Sequence, residues 1–501
     1  MTQPDTQANP LDFNPPPAPS ALERVAAGEV EARPKSLKMP PPQTPMKVAR
    51  ELLDHLFTRA GIPTLVFWRG QWWQYTGTHW KITEELALRG KLYTLLENAH
   101  YLDGDGDKQE QRAWNPTSAR ITNVLDPLKS LCNEHLSDTR EAPVWLEQVH
   151  DHPAREYVPM GNGMLHLPTR ELVEHSPALF TTYCLPFDYQ PNATCHAWSK
   201  FLTEVFAHDP QGELLLQECA GYVVSGRTDM HKGFLLVGPA RSGKGTVSRT
   251  LKELVGVENT HSPALRDFGS DFGLESMIGK PLAVVEDARG DDDRRNNTAV
   301  ERLLNITGED QVAINRKQQT YWVGTLPTRL LLVSNETPRF MDASGAVVNR
   351  FMAMKLEQSF LGREDHTLGR RIREEMAGVF NWALKGLERL EKQQQFTVPN
   401  TMGEMLQQMH DAAAPAMTFL EEHYTISGEP EDRVELAEVF RKYKHWCEGQ
   451  GHKSTSQTEF VRRLEAGGRG VKVKNMDMPG SDWLVSGAGK RSRKRFVLGI
   501  R

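Results

Sequence analysis

No two cysteines in this sequence stand at a C-x-x-C spacing, and the chain of 501 residues holds only five of them: Cys132, Cys184, Cys195, Cys219 and Cys447. An odd count without paired spacing argues against a zinc ribbon and a disulfide framework, and it fits a reducing compartment. Long apolar runs are also missing. No uninterrupted stretch approaches the ~20 residues of a membrane-spanning helix, and the N-terminus lacks the charged-then-apolar order of a secretory signal. The expectation is a soluble, cytoplasmic protein with no membrane partner. Nor is there a strong charge of one sign, the formal net charge being −5. That charge is unevenly placed, however. Residues 433–501 carry 16 Lys and Arg against 7 Asp and Glu, a net of +9, which leaves −14 for the remainder. A basic C-terminal segment on an acidic body suggests a polyanionic partner for that segment.

Hydrophobic residues make up 39% of the chain, enough for real cores, and the length suggests about three domains. Residues 1–45 hold 11 of the 31 prolines. Proline removes backbone donors and fixes φ, so these residues read as a disordered arm. Residues 46–150 read as a small N-terminal α+β domain. Within it "VFWRGQWWQYTGTHWK" alternates and is broken by Gly70 and Gly77, as a three-stranded meander is. Its rings Trp68, Trp72, Trp73, Tyr75 and Trp80 are better read as core than as base-stacking platforms. "LDGDGDKQEQRAW" lacks Gly and Glu at the sixth and twelfth positions of a calcium loop, and reads as an acidic turn. Residues 151–232 read as a helical lead-in, 233–392 as alternating strands and helices, 393–429 as a linker, and 430–501 as two helices followed by two strands.

The most informative stretch is "GPARSGKGT", Gly238 to Thr246. It follows the apolar run "GFLLV" and opens the helical "KGTVSRTLKELVG". Strand, glycine loop and helix are the context of a phosphate-binding P-loop. Glycines let successive N–H groups converge on phosphate oxygens, and a helix N-terminus adds partial positive charge. Gly238, Arg241, Ser242, Gly243, Lys244, Gly245 and Thr246 are therefore the expected contacts of ATP, with Lys244 reaching the β and γ phosphates. Gly245 stands where Walker A loops carry Ser or Thr, so the hydroxyl nearest Mg2+ shifts to Thr246. Downstream, "KPLAVVEDARG" is an apolar strand ending in Glu286 and Asp287. Sequence order favours Glu286 for the metal and Asp287 for the attacking water. A third apolar strand, "RLLLVSNETP", ends in Asn335, a polar amide at a strand tip beside the γ phosphate. Arg350, in "VVNRFMAMKLEQSF", then opens another strand and suits an arginine finger given to a neighbouring subunit.

In this order the motifs resemble the superfamily 3 helicases, in the branch of phage and plasmid primase–helicases with poxvirus-type relatives. "NGMLHLPTRELVEHSP", "FLTEVFAHDPQGELLLQECAGYVVSG", "LLNITGEDQVAINRKQQTYW", "LLLVSNETPRFMD", "NRFMAMKLEQSF" and "LGRRIREEMAGVFNWALKGLERL" carry the likeness over about residues 155–392. "LAEVFRKYKHWCEGQGHKSTSQTEFVRRLEAGG" looks like the terminal winged helix of that family. The resemblance implies an AAA+-like α/β P-loop core, ATP and Mg2+ as cofactors, a homo-hexameric ring, and DNA translocation in phage or plasmid replication inside a bacterial host. A partner primase or origin protein is expected, because residues 1–155 offer no primase acids. It also places Arg316 and Lys317 on a hairpin that reaches single-stranded DNA. In the C-terminal module Ser456 and Glu459 form a capping box. Arg462, Arg463, Lys490, Arg491, Arg493, Lys494 and Arg495 are the expected contacts to duplex phosphates. Two departures stand out: the family usually has two adjacent arginines where this chain has Asn349 and Arg350, and many relatives carry an N-terminal primase domain that residues 1–155 do not supply. A GKGT loop also occurs in adenylate-kinase-like enzymes. The alternatives are a nucleotide kinase, in which such loops lie near the chain start rather than after 237 residues, and an ATP-switched DNA-binding or loader protein that does not unwind.

Overall fold

The computed structural model describes residues 37–104, 109–146, 150–288, 295–317, 321–338, 340, 346–413, 415–450, 455–477 and 493–501. The acidic turn at 105–108 lies outside them, as do Lys490 and Arg491. Two compact units are present, one of residues 1–56 and 84–131, the other of residues 57–83 and 132–501. The expected domain of residues 46–150 is therefore divided between them.

In the first unit, strand Leu37–Lys38 pairs in parallel with Ala99–Asp103, which pairs antiparallel with Glu110–Ala113. Helices Pro45–Leu56 and Glu85–Glu97 belong to it, and most of Ser118–Asn133. Met39 is buried, and the Trp114 indole donates to the Pro40 carbonyl at 3.0 Å. Residues 37–45 of the expected arm, with their prolines, are thus held in structure, and residues 1–36 lie outside the described ones.

The second unit opens with the meander Leu65–Trp68, Gln71–Tyr75 and Trp80–Thr83. Arg69 and Gly70 both have positive φ, 49° and 74°, as the primed two-residue hairpin turn requires. Trp68, Trp73 and Trp80 pack around Phe180 with ring centroids 5.3, 5.5 and 5.3 Å away. The five rings of the strip are all buried, so the core reading of the aromatics holds.

The central element is a five-stranded, all-parallel sheet, giving a mixed α/β body. Before it come α1 (His196–Val205) and α2 (Pro210–Val224). The chain continues through β1 (Gly233–Val237), α3 (Lys244–Val255), β2 (Thr260–His261), β3 (Leu282–Val285) and α4 (Arg295–Thr307). The hairpin β4 (Val312–Ile314) and β5 (Trp322–Gly324) follows, then β6 (Arg329–Ser334) and β7 (Phe351–Lys355). Helices α5 (Leu368–Glu374) and α6 (Met376–Gln393) close this part. The spatial order is β2-β3-β6-β1-β7. Every residue of β1, β3 and β6 is buried, which is why these strands read as continuous apolar runs rather than alternating ones.

Helices α2 and α6 pack backbone to backbone. A Cβ at Gly221 would meet the Ala383 carbonyl at 2.5 Å, and one at Gly386 the Gln217 carbonyl at 2.2 Å. Beside this crossing the fully buried carboxylate of Glu218 accepts from Arg389 Nε at 2.6 Å, Gln393 Nε2 at 2.9 Å, and the amide and hydroxyl of Thr397 at 2.7 and 2.6 Å. Removing one partner of such a network strands the others without water. Glu218→Ala is expected to cost about 3–5 kcal/mol, read as a lowered urea midpoint, with Glu218→Gln losing less.

The C-terminal part begins earlier than expected. After α7 (Met402–Ala413) comes α8 (Pro415–His423), whose Phe419 and Leu420 share one apolar core with Tyr443, Phe460 and Val497. The expected linker 393–429 is thus partly helical and supplies a wall of this module. It contains β8 (Arg433–Glu435), α9 (Leu436–Gln450), α10 (Gln457–Ala466), β9 (Lys472–Asp477) and β10 (Arg493–Leu498), the sheet running β8-β10-β9 and antiparallel. Ser456 caps α10, its hydroxyl accepting from the Glu459 amide at 3.2 Å. No helix among the described residues is long and apolar enough to cross a membrane.

Candidate functional site

Strand β1 lies between β6 and β7 and runs parallel to both, so the chain leaves it toward β2 and later crosses back over it to β7. Open parallel sheets bind ligands outside the carboxyl ends of their strands, where the connections diverge in this way. A cleft of about 950 Å³ opens at that end. Its lining includes Ala240–Thr246, Glu286 and Asn335, together with Arg363, Arg370, Arg371 and Arg373.

The loop between β1 and α3 is shaped by its glycines. Gly243 takes a φ of 97°, and a Cβ there would press on the Phe201 ring at 2.9 Å. A Cβ at Gly238 would strike the Leu356 carbonyl at 2.5 Å. Both positions admit only glycine, and the second brings the loop against the chain leaving β7. Helix α3 starts at Lys244, so its positive end faces the cleft. The Lys244 side chain is buried and folds back on the loop. Its Nζ donates to the carbonyls of Gly238 and Pro239 at 2.6 and 2.7 Å and to Ser242 Oγ at 3.4 Å. Burial pushes its pKa down, which an anion in the cleft would reverse by favouring the charged ammonium.

Residues Lys244, Ser248 and Lys252 lie four apart, on one face of α3. At the far end of that face stands Glu286. Its Oε1 accepts from Lys252 Nζ at 2.5 Å and its Oε2 from Ser248 Oγ at 3.4 Å. Sequence reasoning missed both partners, although their spacing from Lys244 was visible. Asn335 follows β6 directly and is exposed in the cleft. Thr246, Glu286 and Asn335 offer hard oxygen donors to the same cleft, a set that suits Mg2+. Glu286 would share its charge with Lys252 there. Gly245 adds no hydroxyl, and a Cβ at that position would meet only the Arg249 guanidinium, at 3.2 Å.

Of the expected catalytic residues, Lys244, Glu286 and Asn335 line one cleft, whereas Asp287 and Arg350 are not among its lining. Asp287 adjoins Glu286 and is exposed. Arg350 ends the short helix Ala346–Arg350 rather than opening the strand, and β7 starts at the next residue. Since Phe351 pairs with Gly233 and Lys355 with Val237, Arg350 sits at the opposite end of the sheet from Lys244. The arginines of α5 were not singled out in the sequence. They are held by acids: Arg371 by Asp365, Arg373 by Glu253 at 2.6 Å and Arg370 by Glu374 at 3.5 Å.

The hairpin differs from expectation. Arg316 is 3% exposed, and burial pushes its pKa down despite nearby Glu275. Val312 and Ile314 are the buried residues of β4, and Arg316, two residues past the end of that strand, is buried as they are. Lys317 is exposed, and residues 318–320 lie outside the described ones. The root of β5 is held to the meander. The Arg69 guanidinium lies over Trp68 and Trp322, 4.5 and 5.2 Å from their ring centres, and bonds Glu141 at 3.0 and 2.6 Å. In the C-terminal module Arg462 is 73% exposed and Arg463 18%, both paired with Glu459. Arg495 is exposed on β10, and Lys494 bonds Glu435 at 2.8 Å. Of Arg493 only the backbone position at the start of β10 is described.

Residues 68–207 match the family model described as D5 N terminal like, and residues 236–350 match a family of unknown function (DUF5906). Among solved structures the chain is similar to the apo structure of the NrS-1 C terminal region. One such structure is 14% identical, with a TM-score of 0.42 over 62% of this chain and 79% of that one. Another, the A form, is 11% identical, with a TM-score of 0.45 over 91% of this chain and 99% of that one.

Proposed function

We propose that the chain is an ATP-hydrolysing DNA helicase or translocase of the superfamily 3 type, acting as a homo-hexameric ring in phage or plasmid replication. The observation that carries the reading is the meeting of the glycine loop, Lys244, Glu286 and Asn335 in one cleft at the carboxyl ends of β1, β3 and β6. The loop and the start of α3 cradle phosphates, and Lys244 exchanges its carbonyl partners for phosphate oxygens. Glu286 holds water beside them, and Asp287, exposed next to it though outside the lining, is the group proposed to orient that water. When bound, Mg2+ supplies positive charge against the phosphate oxygens, with Thr246 and Glu286 as its holders. Arg350, remote from Lys244 in its own chain, would serve the cleft of a neighbour. The D5 N terminal like match falls on the stretch that leads into this loop, as the primase–helicase resemblance of the sequence has it.

The C-terminal module is the proposed winged helix and duplex-binding part. Exposed Arg462 on α10, with Lys472, Lys474 and Arg495 on the β9–β10 hairpin, presents positive charge to phosphates. Because α8 belongs to its core, the informative deletion removes residues 415–501. That deletion is expected to weaken DNA binding and flatten its salt dependence by about 0.9 in log–log slope for each phosphate no longer neutralised, while basal ATP hydrolysis persists. The ATPase rate of the full chain is the test of the reading as a whole. Single-stranded DNA should stimulate it several-fold. Hydrolysis indifferent to DNA, or phosphate transfer to a nucleoside monophosphate, would overturn the helicase assignment.

A further inference from the structure

We propose that His152, Glu156 and His166 form a binding site for one divalent first-row transition-metal ion, zinc in the first place. The site lies outside the cleft and draws on a motif, "GNGMLHLPTREL", to which the nucleotide chemistry gives no task. One nitrogen of each imidazole and one carboxylate oxygen all lie within 4.8 Å of one another. His166 Nε2 and Glu156 Oε2 are 3.0 Å apart, close to the roughly 3.3 Å that separates two ligands of a tetrahedral zinc at ~2.0 Å.

The donors are held as metal ligands are. His166 is 2% exposed, and its Nδ1 lies 2.7 Å from Thr169 Oγ1. A partner on the second nitrogen fixes ring orientation and leaves Nε2 for the metal. Glu156 and His166 stand on adjoining backbones, because Tyr157 pairs with His166 in a hairpin and the Leu167 amide donates to the Glu156 carbonyl at 2.8 Å. His152 is placed by its carbonyl, which accepts from Trp145 Nε1 at 2.8 Å. Its ring lies 4.1 Å from that of His166, tilted by 26°. Tyr157 stands 4.9 Å from the His166 ring and Trp145 5.3 Å from the Tyr157 ring, an aromatic wall on one side. His152 and Glu156 are only partly buried, which leaves an entry path and room for a water as fourth ligand. Two imidazoles and one carboxylate suit zinc and its neighbours. Magnesium and calcium want oxygen alone, and copper(I) wants sulfur, which is absent from the set. The bound ion would tie residues 152–156 to the hairpin that follows them.

The test uses the full chain without a polyhistidine tag, stripped with EDTA, returned to zinc chloride and gel-filtered. Mass spectrometry of the metal should find about one zinc per chain. His152→Ala and Glu156→Ala should each lose it, and zinc should raise the Tm of the stripped wild type but not of His152→Ala. His152→Gln serves as a second variant if alanine disturbs the fold by circular dichroism. Cobalt(II) loaded instead should give d–d bands without thiolate charge transfer, which separates these donors from the five cysteines. A wild type that takes no zinc, variants that keep it, or thiolate bands would each overturn the site and leave a hydrogen-bonded His–Glu pair.

Discussion

Replacing Lys244 with alanine is expected to lower kcat/KM for ATP by at least ~100-fold, the scale seen when one charged or hydrogen-bonding group is taken from a developing anion. The ammonium is the group on the loop that reaches the β and γ phosphates in the proposed complex. It is also the brace of the loop, through the carbonyls of Gly238 and Pro239 and the Ser242 hydroxyl. Two effects are thus mixed in Lys244→Ala, and Lys244→Met separates them. Methionine keeps the buried stem but neither charge nor donor. Both variants should lose hydrolysis, and the methionine variant should keep a Tm nearer the wild type. Hydrolysis that survives in both would remove the phosphate-cradle assignment.

The second large effect concerns the proposed ring. Arg350→Ala is expected to be nearly inactive alone, as Lys244→Ala is. Arg350 and Lys244 lie at opposite ends of the parallel sheet, so an active site that uses both must draw them from two chains. When the two variants are denatured and reassembled together at equal amounts, about a quarter of head-to-tail interfaces join an intact Lys244 to an intact Arg350. ATPase activity should therefore recover partly in the mixture and not in either variant treated alone. Mixed rings shown by native mass spectrometry but without recovery would remove the finger role from Arg350.

The parts of the fold that were legible in the sequence are those buried on both faces. "GFLLV", "LAVV" and "RLLLVS" each read as an uninterrupted apolar run, and each is a strand of the central sheet. The loop was legible because Gly243 and Gly238 have no substitute at their φ or at their distance from Leu356. What could not be read is what depends on distant partners. The meander belongs with Phe180 rather than with its sequence neighbours, and α8 became part of the C-terminal module only by packing with Tyr443 and Phe460. Arg316 was read by its charge as an exposed hairpin contact, and its side chain is buried instead. It lies two residues beyond Ile314 and four beyond Val312, which are buried as well.

The meander also sets a clock on folding. Trp80 donates its indole N–H to the carbonyl of Leu179, 99 residues later in the chain. At ribosomal speeds of about 5–20 residues per second, that acceptor is made roughly 5–20 s after the tryptophan. Residues 84–131, which belong to the other unit, are made in the interval. Throughout it the tryptophan strip has no Phe180 to cover it, and a three-stranded meander of this size is marginal by itself. The aromatic surface that later closes the core is, for those seconds, open to capture by chaperones or by its own kind.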